Sequence, residues 1–320
     1  MKKLFTFFII TITCLTFSNA QKIDNLVSFR DIDNASYFRF NYENDYFANG
    51  DENYTQGYNF ELFLKSLKKN PINFLFFKPK NSIKKYGLAL EHIGFTPDDY
   101  VSENIQFGDR PFASAIMLKS MIITVNTNKK LRLFSSFNLG IIGPAAFGED
   151  MQVGIHKWTG NKIPKGWKNQ IKNDIVINYE IGLEKQIITV ASFLSLQAQS
   201  NIKAGTLFTN ASLGLNATFG IIDKPFTIKN SAKKFKFYGF LQSIGTAVVY
   251  DATLQGGMFN NSSTYTISSG EVKRLTGQYS YGFILKTRTL FFEYSRYFIT
   301  KEFNSGSSAK WGGIKIGFTF

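Results

Sequence analysis

The feature that most narrows what this chain can fold into is a two-residue alternation, which recurs along its length and is still running at the last residue. In Trp311–Phe320 (WGGIKIGFTF), Ile314, Ile316, Phe318 and Phe320 share one side, and Lys315, Gly317 and Thr319 share the other. The same period appears earlier. Phe38, Phe40 and Tyr42 alternate with Arg39, Asn41 and Glu43, while Tyr58, Phe60, Leu62 and Leu64 oppose Thr55, Gly57, Asn59 and Glu61. It returns in Ile175, Ile177, Tyr179, Ile181 and Leu183, and again in Tyr279, Tyr281, Phe283 and Leu285. Period two is the signature of a strand with one apolar and one polar face. Roughly 12 such strands can be counted, and a single-chain barrel of the outer-membrane type has an even number.

Long alternating strands also suit a soluble β-sandwich. Four features favour an antiparallel transmembrane β-barrel of the bacterial outer-membrane type: a bacterial-type leader, no cysteine after it, ring-rich apolar faces and a terminal Phe on an amphipathic last strand. Aromatic residues make up 16% of the chain, with Phe alone at 34. Average hydrophobicity with abundant rings is expected where one strand face meets lipid and the other lines a polar lumen.

The start of the chain fixes the compartment. Lys2 and Lys3 precede an apolar run from Leu4 to Phe17, and Ser18-Asn19-Ala20 is a small-residue cleavage site. Residues 1–20 therefore read as a secretory signal peptide and 21–320 as one barrel domain. The single cysteine, Cys14, lies in the leader, so a disulfide framework or a Cys-based site is not expected in the processed chain. The net charge of +14 raises the question of nucleic acid. No basic-aromatic recognition motif accompanies it, so no nucleic-acid partner is expected.

Chemistry-bearing residues are few. No nucleophile elbow, P-loop, dinucleotide fingerprint or HExxH occurs. Of the two histidines, His92 falls on a strand face with Leu88 and Leu90 and is given no role. His156 lies in Phe147–Lys172, which breaks the alternation and reads as a loop with one or two short helical turns, its Trp158 and Trp167 belonging at the lipid–water rim. A loop histidine on a rigid scaffold suits reactivity, although a lone histidine is more often structural. Glu43-Asn44-Asp45-Tyr46-Phe47, Asp51 and Tyr54-Thr55-Gln56-Gly57 form two strand ends about a polar turn. Their hard oxygens suit Ca²⁺, and the same residues also suit plain turn chemistry. Because Asn44 and Asp45 are adjacent, a shared site requires a strand end or a bulge there. Asp109-Arg110-Pro111-Phe112-Ala113 reads as a turn opening a strand.

These strings, together with Ile142-Gly143-Pro144-Ala145-Ala146-Phe147-Gly148, Gln152, His156, Gly160, Trp167 and Gln170 in the same order, resemble the outer-membrane lipid A 3′-O-deacylase family. The resemblance spans nearly the whole processed chain. It implies a 12-stranded outer-membrane barrel that removes the 3′-linked acyloxyacyl chain of lipid A by Ca²⁺-dependent ester hydrolysis. Carried over by position, it implies that His156 is the general base activating water, with Gln152 beside it. It places Asn44, Asp45 and Thr55 at the site, with Asp45 and Thr55 nearest the metal. The implied partners are lipopolysaccharide and outer-membrane lipid, and a monomer is compatible with the sequence. One departure stands out: family members can carry basic residues before the Asp-Arg turn, whereas Val101–Phe107 has none. Either Arg110 or one of Lys157, Lys162 and Lys165 meets a substrate phosphate instead, or the substrate head group differs. Two other readings remain open: a non-catalytic barrel such as a pore or adhesin, and a hydrolase of glycerophospholipid on the same scaffold.

Overall fold

A computed structural model describes residues 26–45, 53–222, 226 and 235–320, with the side chains of 53–55 outside that description. The proposed leader, together with Tyr46, Phe47 and Asp51, lies outside the described residues. Twelve strands close into one antiparallel barrel, each bonded to its sequence neighbours and β1 (Tyr37–Asn44) bonded to β12 (Ala309–Thr319). Closure leaves no unpaired sheet edge, which is the condition for strands to sit in hydrocarbon. β1 begins and β12 ends at one end of the barrel, here the terminal end, and the other is the distal end.

The alternation sorts as the sequence predicts. On β1, Phe38, Phe40 and Tyr42 are partly exposed on the outer wall, whereas Arg39, Asn41 and Glu43 are buried in the lumen. On β6 (Asp174–Val190), Ile175, Ile177 and Leu183 point outward, and Asn178, Glu180 and Glu184 are buried inside. Rings pair across strands on the outer wall, as in Phe40 with Phe60 at 4.9 Å and Tyr42 with Tyr58 at 5.0 Å. Such cross-strand aromatic pairs fix the register.

Nothing in the alternation announces what fills the lumen. Residues 26–36 run inside the barrel at the terminal end before β1 begins. Leu26, Val27, Phe29 and Ile32 join a buried apolar cluster with Phe134, Phe240, Ile284 and Phe291. The polar groups of this strap are individually gripped. The Ser28 backbone and hydroxyl donate to Glu184 at 2.8 Å each, and Arg30 donates to Glu293 at 2.8 Å. The strap's carbonyls accept in turn: Arg30 O from Arg39 at 2.6 Å, and Phe29 O from Tyr238 at 2.6 Å. Asp31 meets Lys85 and Arg132, and Asp33 meets Lys236 at 2.6 Å. Burial pushes the Asp31 carboxyl up, but Arg132 and Lys85 more than offset it and hold it at about 2.

Loops 97–112, 143–173, 252–274 and 300–308 stand at the distal end. Lumen groups deeper down include Gln278, whose amide has no protein partner on either atom. Polar groups left this way in a polar cavity are met by water.

Candidate active site

The second irregular segment is more ordered than the sequence suggests. In place of one or two short turns there is a three-turn helix, α1 (Gly148–Thr159). Its buried stripe is Gly148, Gln152 and His156, spaced i, i+4, i+8. A stripe of glycine, amide and imidazole has no apolar period, so hydrophobic patterning cannot reveal the helix. Phe147 precedes it in the left-handed region (φ 61°), and Gly160 (φ 73°) ends it in the left-handed cap that favours glycine.

The helix rests on the outer face of the barrel wall. Two rows of directly paired residues cross β1, β2 (Asn53–Phe63), β3 (Ile83–Thr96) and β4 (Ala113–Asn126). One is Tyr42, Tyr58, His92 and Ile116; the next, nearer the distal rim, is Asn44, Gln56, Gly94 and Ser114. Their parity matches the outward Phe40, Phe60 and Leu90, yet Gln56, His92 and Ser114 are buried. The lead-in to α1 covers part of this area. His92 Nε2 lies 2.9 Å from the Ala146 carbonyl, and the first helical residue presses on Ser114. A Cβ on Gly148 would stand 2.4 Å from Ser114 Cβ, so only glycine admits this approach. His92, which sequence reasoning left without a role, thus latches the helix lead-in to the wall.

Within this cover the predicted residues fall as follows. His156 is 6% exposed, and its Nδ1 is 2.5 Å from the Lys162 carbonyl. A carbonyl can only accept, so Nδ1 carries the hydrogen, and in a neutral ring Nε2 is then the acceptor. The Tyr100 ring stands edge-on at 5.4 Å and walls the imidazole. Gln152, 1% exposed, accepts at Oε1 from the Trp167 indole N–H at 2.6 Å. An indole nitrogen can only donate, which fixes the amide and turns its Nε2 away; that nitrogen is buried with no protein partner among the described residues. One helix face therefore carries a free acceptor and a free donor one turn apart.

The first strand pair supplies the other candidates. β1 ends at Asn44, half-buried on the outer face, and Asp45 follows, 2% exposed. Opposite, Tyr54 pairs with Phe95 and Gln56 with Gly94, leaving Thr55 as the extra residue of a bulge. The strand end that a shared site requires at Asn44–Asp45 is present, and the bulge lies on the facing strand. Among the described residues no group of three or more His, Cys, Asp or Glu side chains forms a metal cluster.

Two expectations need correction. Trp167 is not at the lipid boundary: it is 1% exposed, packed on Phe112 at 5.0 Å, and its polar edge is spent on Gln152. Trp158, at 88% exposure, fits the rim. Arg110 does not face a substrate. It is buried in the barrel mouth, ion-paired with Glu302, donating to Thr253 Oγ1 at 2.7 Å and stacked over Phe95 at 4.0 Å. Burial nonetheless pushes the Glu302 carboxyl up, against the pull of Arg110. Lys157, Lys162 and Lys165 are exposed. Glu103, in the stretch that lacks basic residues, pairs with Lys168 at 3.3 Å and Lys165 at 3.6 Å. Those lysines, Lys168 foremost, hold its carboxyl below the usual range.

A family model described as outer membrane protein LpxR matches residues 4–320. Among solved structures, LpxR from Salmonella typhimurium superposes with a TM-score of 0.71 at 18% identity, covering 89% of this chain and 100% of the other. The β domain of the Bordetella autotransporter BrkA gives 0.45 at 8% identity, covering 89% and 99%. The Pseudomonas putida toluene transporter TodX gives 0.38 at 10%, covering 94% and 95%. No curated protein sequence matches.

Proposed function

This chain belongs to the outer membrane protein LpxR family, and we propose that it hydrolyses an acyl ester of lipid A in the outer membrane, releasing the 3′-linked acyloxyacyl chain. The observation that carries the reading is the α1 face, where His156 offers a basic nitrogen and Gln152 a buried, unpaired donor. That pair has the polarity an ester needs. In the proposed step His156 Nε2 takes a proton from water as the water oxygen attacks the ester carbonyl carbon. The Gln152 amide donates to the oxygen that becomes negative. When the tetrahedral carbon collapses, the sugar oxygen leaves with the proton from His156, giving a sugar hydroxyl and a fatty acid, which releases its own proton to solvent.

The Asp45 carboxylate, the Asn44 amide and the Thr55 hydroxyl are hard oxygen donors of the kind Ca²⁺ takes, with Asp45 and Thr55 the proposed ligands. Such a site has one described acid, so neutral oxygens would complete it. Bound there, Ca²⁺ would add positive charge near the developing oxyanion. With Arg110 committed to Glu302, Lys157 and Lys162 are the cations we assign to a substrate phosphate.

Mass spectrometry of lipid A from cells expressing the chain tests this. Loss of one acyloxyacyl chain, abolished by His156→Ala and by chelation, is the expected result. Unaltered lipid A from cells with correctly assembled barrel would sink the reading. The pore alternative is disfavoured by the strap that occupies the lumen, and a glycerophospholipid substrate is separated by analysing both product classes.

A further inference from the structure

Between β2 and β3, residues 64–82 do not form a tight turn but fold back along the outer wall in two 3-10 segments, Lys65–Lys69 and Pro71–Leu75. The flap is held by side chains: Asn70 donates to Ser120 Oγ at 3.1 Å, and Tyr179 donates to the Leu75 carbonyl at 3.0 Å. Its Phe76 packs with Tyr86 and Ile122, and Ile122 is fully buried although its parity is outward. The wall here has exchanged its own lipid contact for that of the flap.

What the flap then presents is segregated. Its tip exposes Phe74 (78%), Leu75 and Phe77 (64%). Its two ends, where the chain leaves β2 and enters β3, expose Lys65, Lys68, Lys69, Lys78 and Lys80. The segment contains no acidic residue. None of these five lysines is in an ion pair among the described residues. Apolar side chains bare to the surroundings beside unpaired cations are the pattern of an interfacial element, with rings among acyl chains and cations at the phosphates. Outer-membrane barrels keep their longer loops outside and their short turns in the periplasm; the longer loops here are distal, so the flap at the terminal end meets the inner, phospholipid leaflet. We propose that residues 64–82 are a docking surface for anionic phospholipid of the inner leaflet, separate from the α1 site at the opposite end.

The test uses the full barrel purified into mixed micelles of phosphatidylglycerol and phosphatidylcholine, with retained lipid counted by native mass spectrometry. The wild-type chain is expected to enrich phosphatidylglycerol, and replacing the five lysines together by Gln to lower that enrichment at least tenfold, the loss of one or two surface cations being enough for that. A nitroxide on Phe74→Cys in bilayers should be reached by oxygen and shielded from a water-soluble relaxant. Equal enrichment in the lysine variant would overturn the proposal. A water-exposed nitroxide would also overturn it, pointing to a soluble polyanion or protein instead. Unchanged heat-resistant gel migration of both variants shows that the barrel itself is intact.

Discussion

The two ends of this barrel are closed by opposite means. At the terminal end the seal lies inside: a strap threads the lumen, and its ions are matched one by one to wall charges, Arg30 to Glu293, Asp31 to Lys85 and Arg132, Asp33 to Lys236. At the distal end the loops supply the closure, and the groups with free reactive atoms lie outside the wall, under α1. Matched charges satisfy one another and have little left for chemistry. Leaving one acceptor and one donor unpaired is how a site retains polarity for a substrate. The location also suits the proposed substrate, whose acyl ester lies at the membrane surface rather than in a lumen.

The sharpest way to break this contrast is His156→Ala, which should lower turnover by about 10²–10⁴-fold, the usual contribution of a general base, without changing barrel assembly. Released acyl chain quantified by mass spectrometry gives the rate. Next is the donor. Gln152→Glu can still accept from Trp167 but cannot donate, and its rate should drop about 10²-fold, as for loss of one oxyanion donor. Trp167→Phe leaves the amide free to turn, so its loss should fall between roughly twofold and that of Gln152→Glu. It should add nothing in the Gln152→Glu background. An additive double variant would mean that Trp167 only packs.

At the terminal end the effects should be on stability alone. Arg30→Ala removes one partner of a fully buried pair and should cost about 3–5 kcal/mol, read as a lower midpoint for loss of folded gel migration, with turnover below that midpoint unchanged. The smallest effect concerns acid. Asp31 has its folded pKa depressed, so its contribution is present above the unfolded value and is lost as pH falls toward about 2. Unfolding midpoints should therefore hold from pH 7 to 5 and fall below pH 4, less steeply in Asp31→Asn. An Asp31→Asn variant with the wild-type pH profile would remove that carboxylate from the account.

How much of this was legible depended on whether a residue's neighbours in sequence were also its neighbours in space. Phe38, Phe40 and Tyr42 show their side because the strand period is local, and β12 announced itself for the same reason. The approach of Asn44 to the stretch that holds Thr55 could be reached as well, since adjoining strands bring them together and Asn44 pairs with Gln56, the next residue. The strap was invisible: Ser28, Arg30 and Asp33 have no period, and their partners are more than 150 residues away for Ser28 with Glu184 and more than 200 for Arg30 with Glu293 and Asp33 with Lys236. Helix α1 was hidden by its polar stripe. Arg110 misled because an arginine in a turn looks available until Glu302 and Thr253, far along the chain, are seen to hold it.

The strap also sets the order of events in assembly. Leu26 lies beside a mid-lumen cavity lined by Asn59, Glu91 and Asn178, and the chain runs from there toward the terminal end before entering β1. A closed ring cannot readily be threaded from within, so these residues must be enclosed as β1 zips to β12. A bulky group carried on Leu26 itself would have to be enclosed in the cylinder. Bulk added to the strap, as in Val27→Trp, should accordingly hinder the final strand pairing, whereas a tag in a distal loop should not.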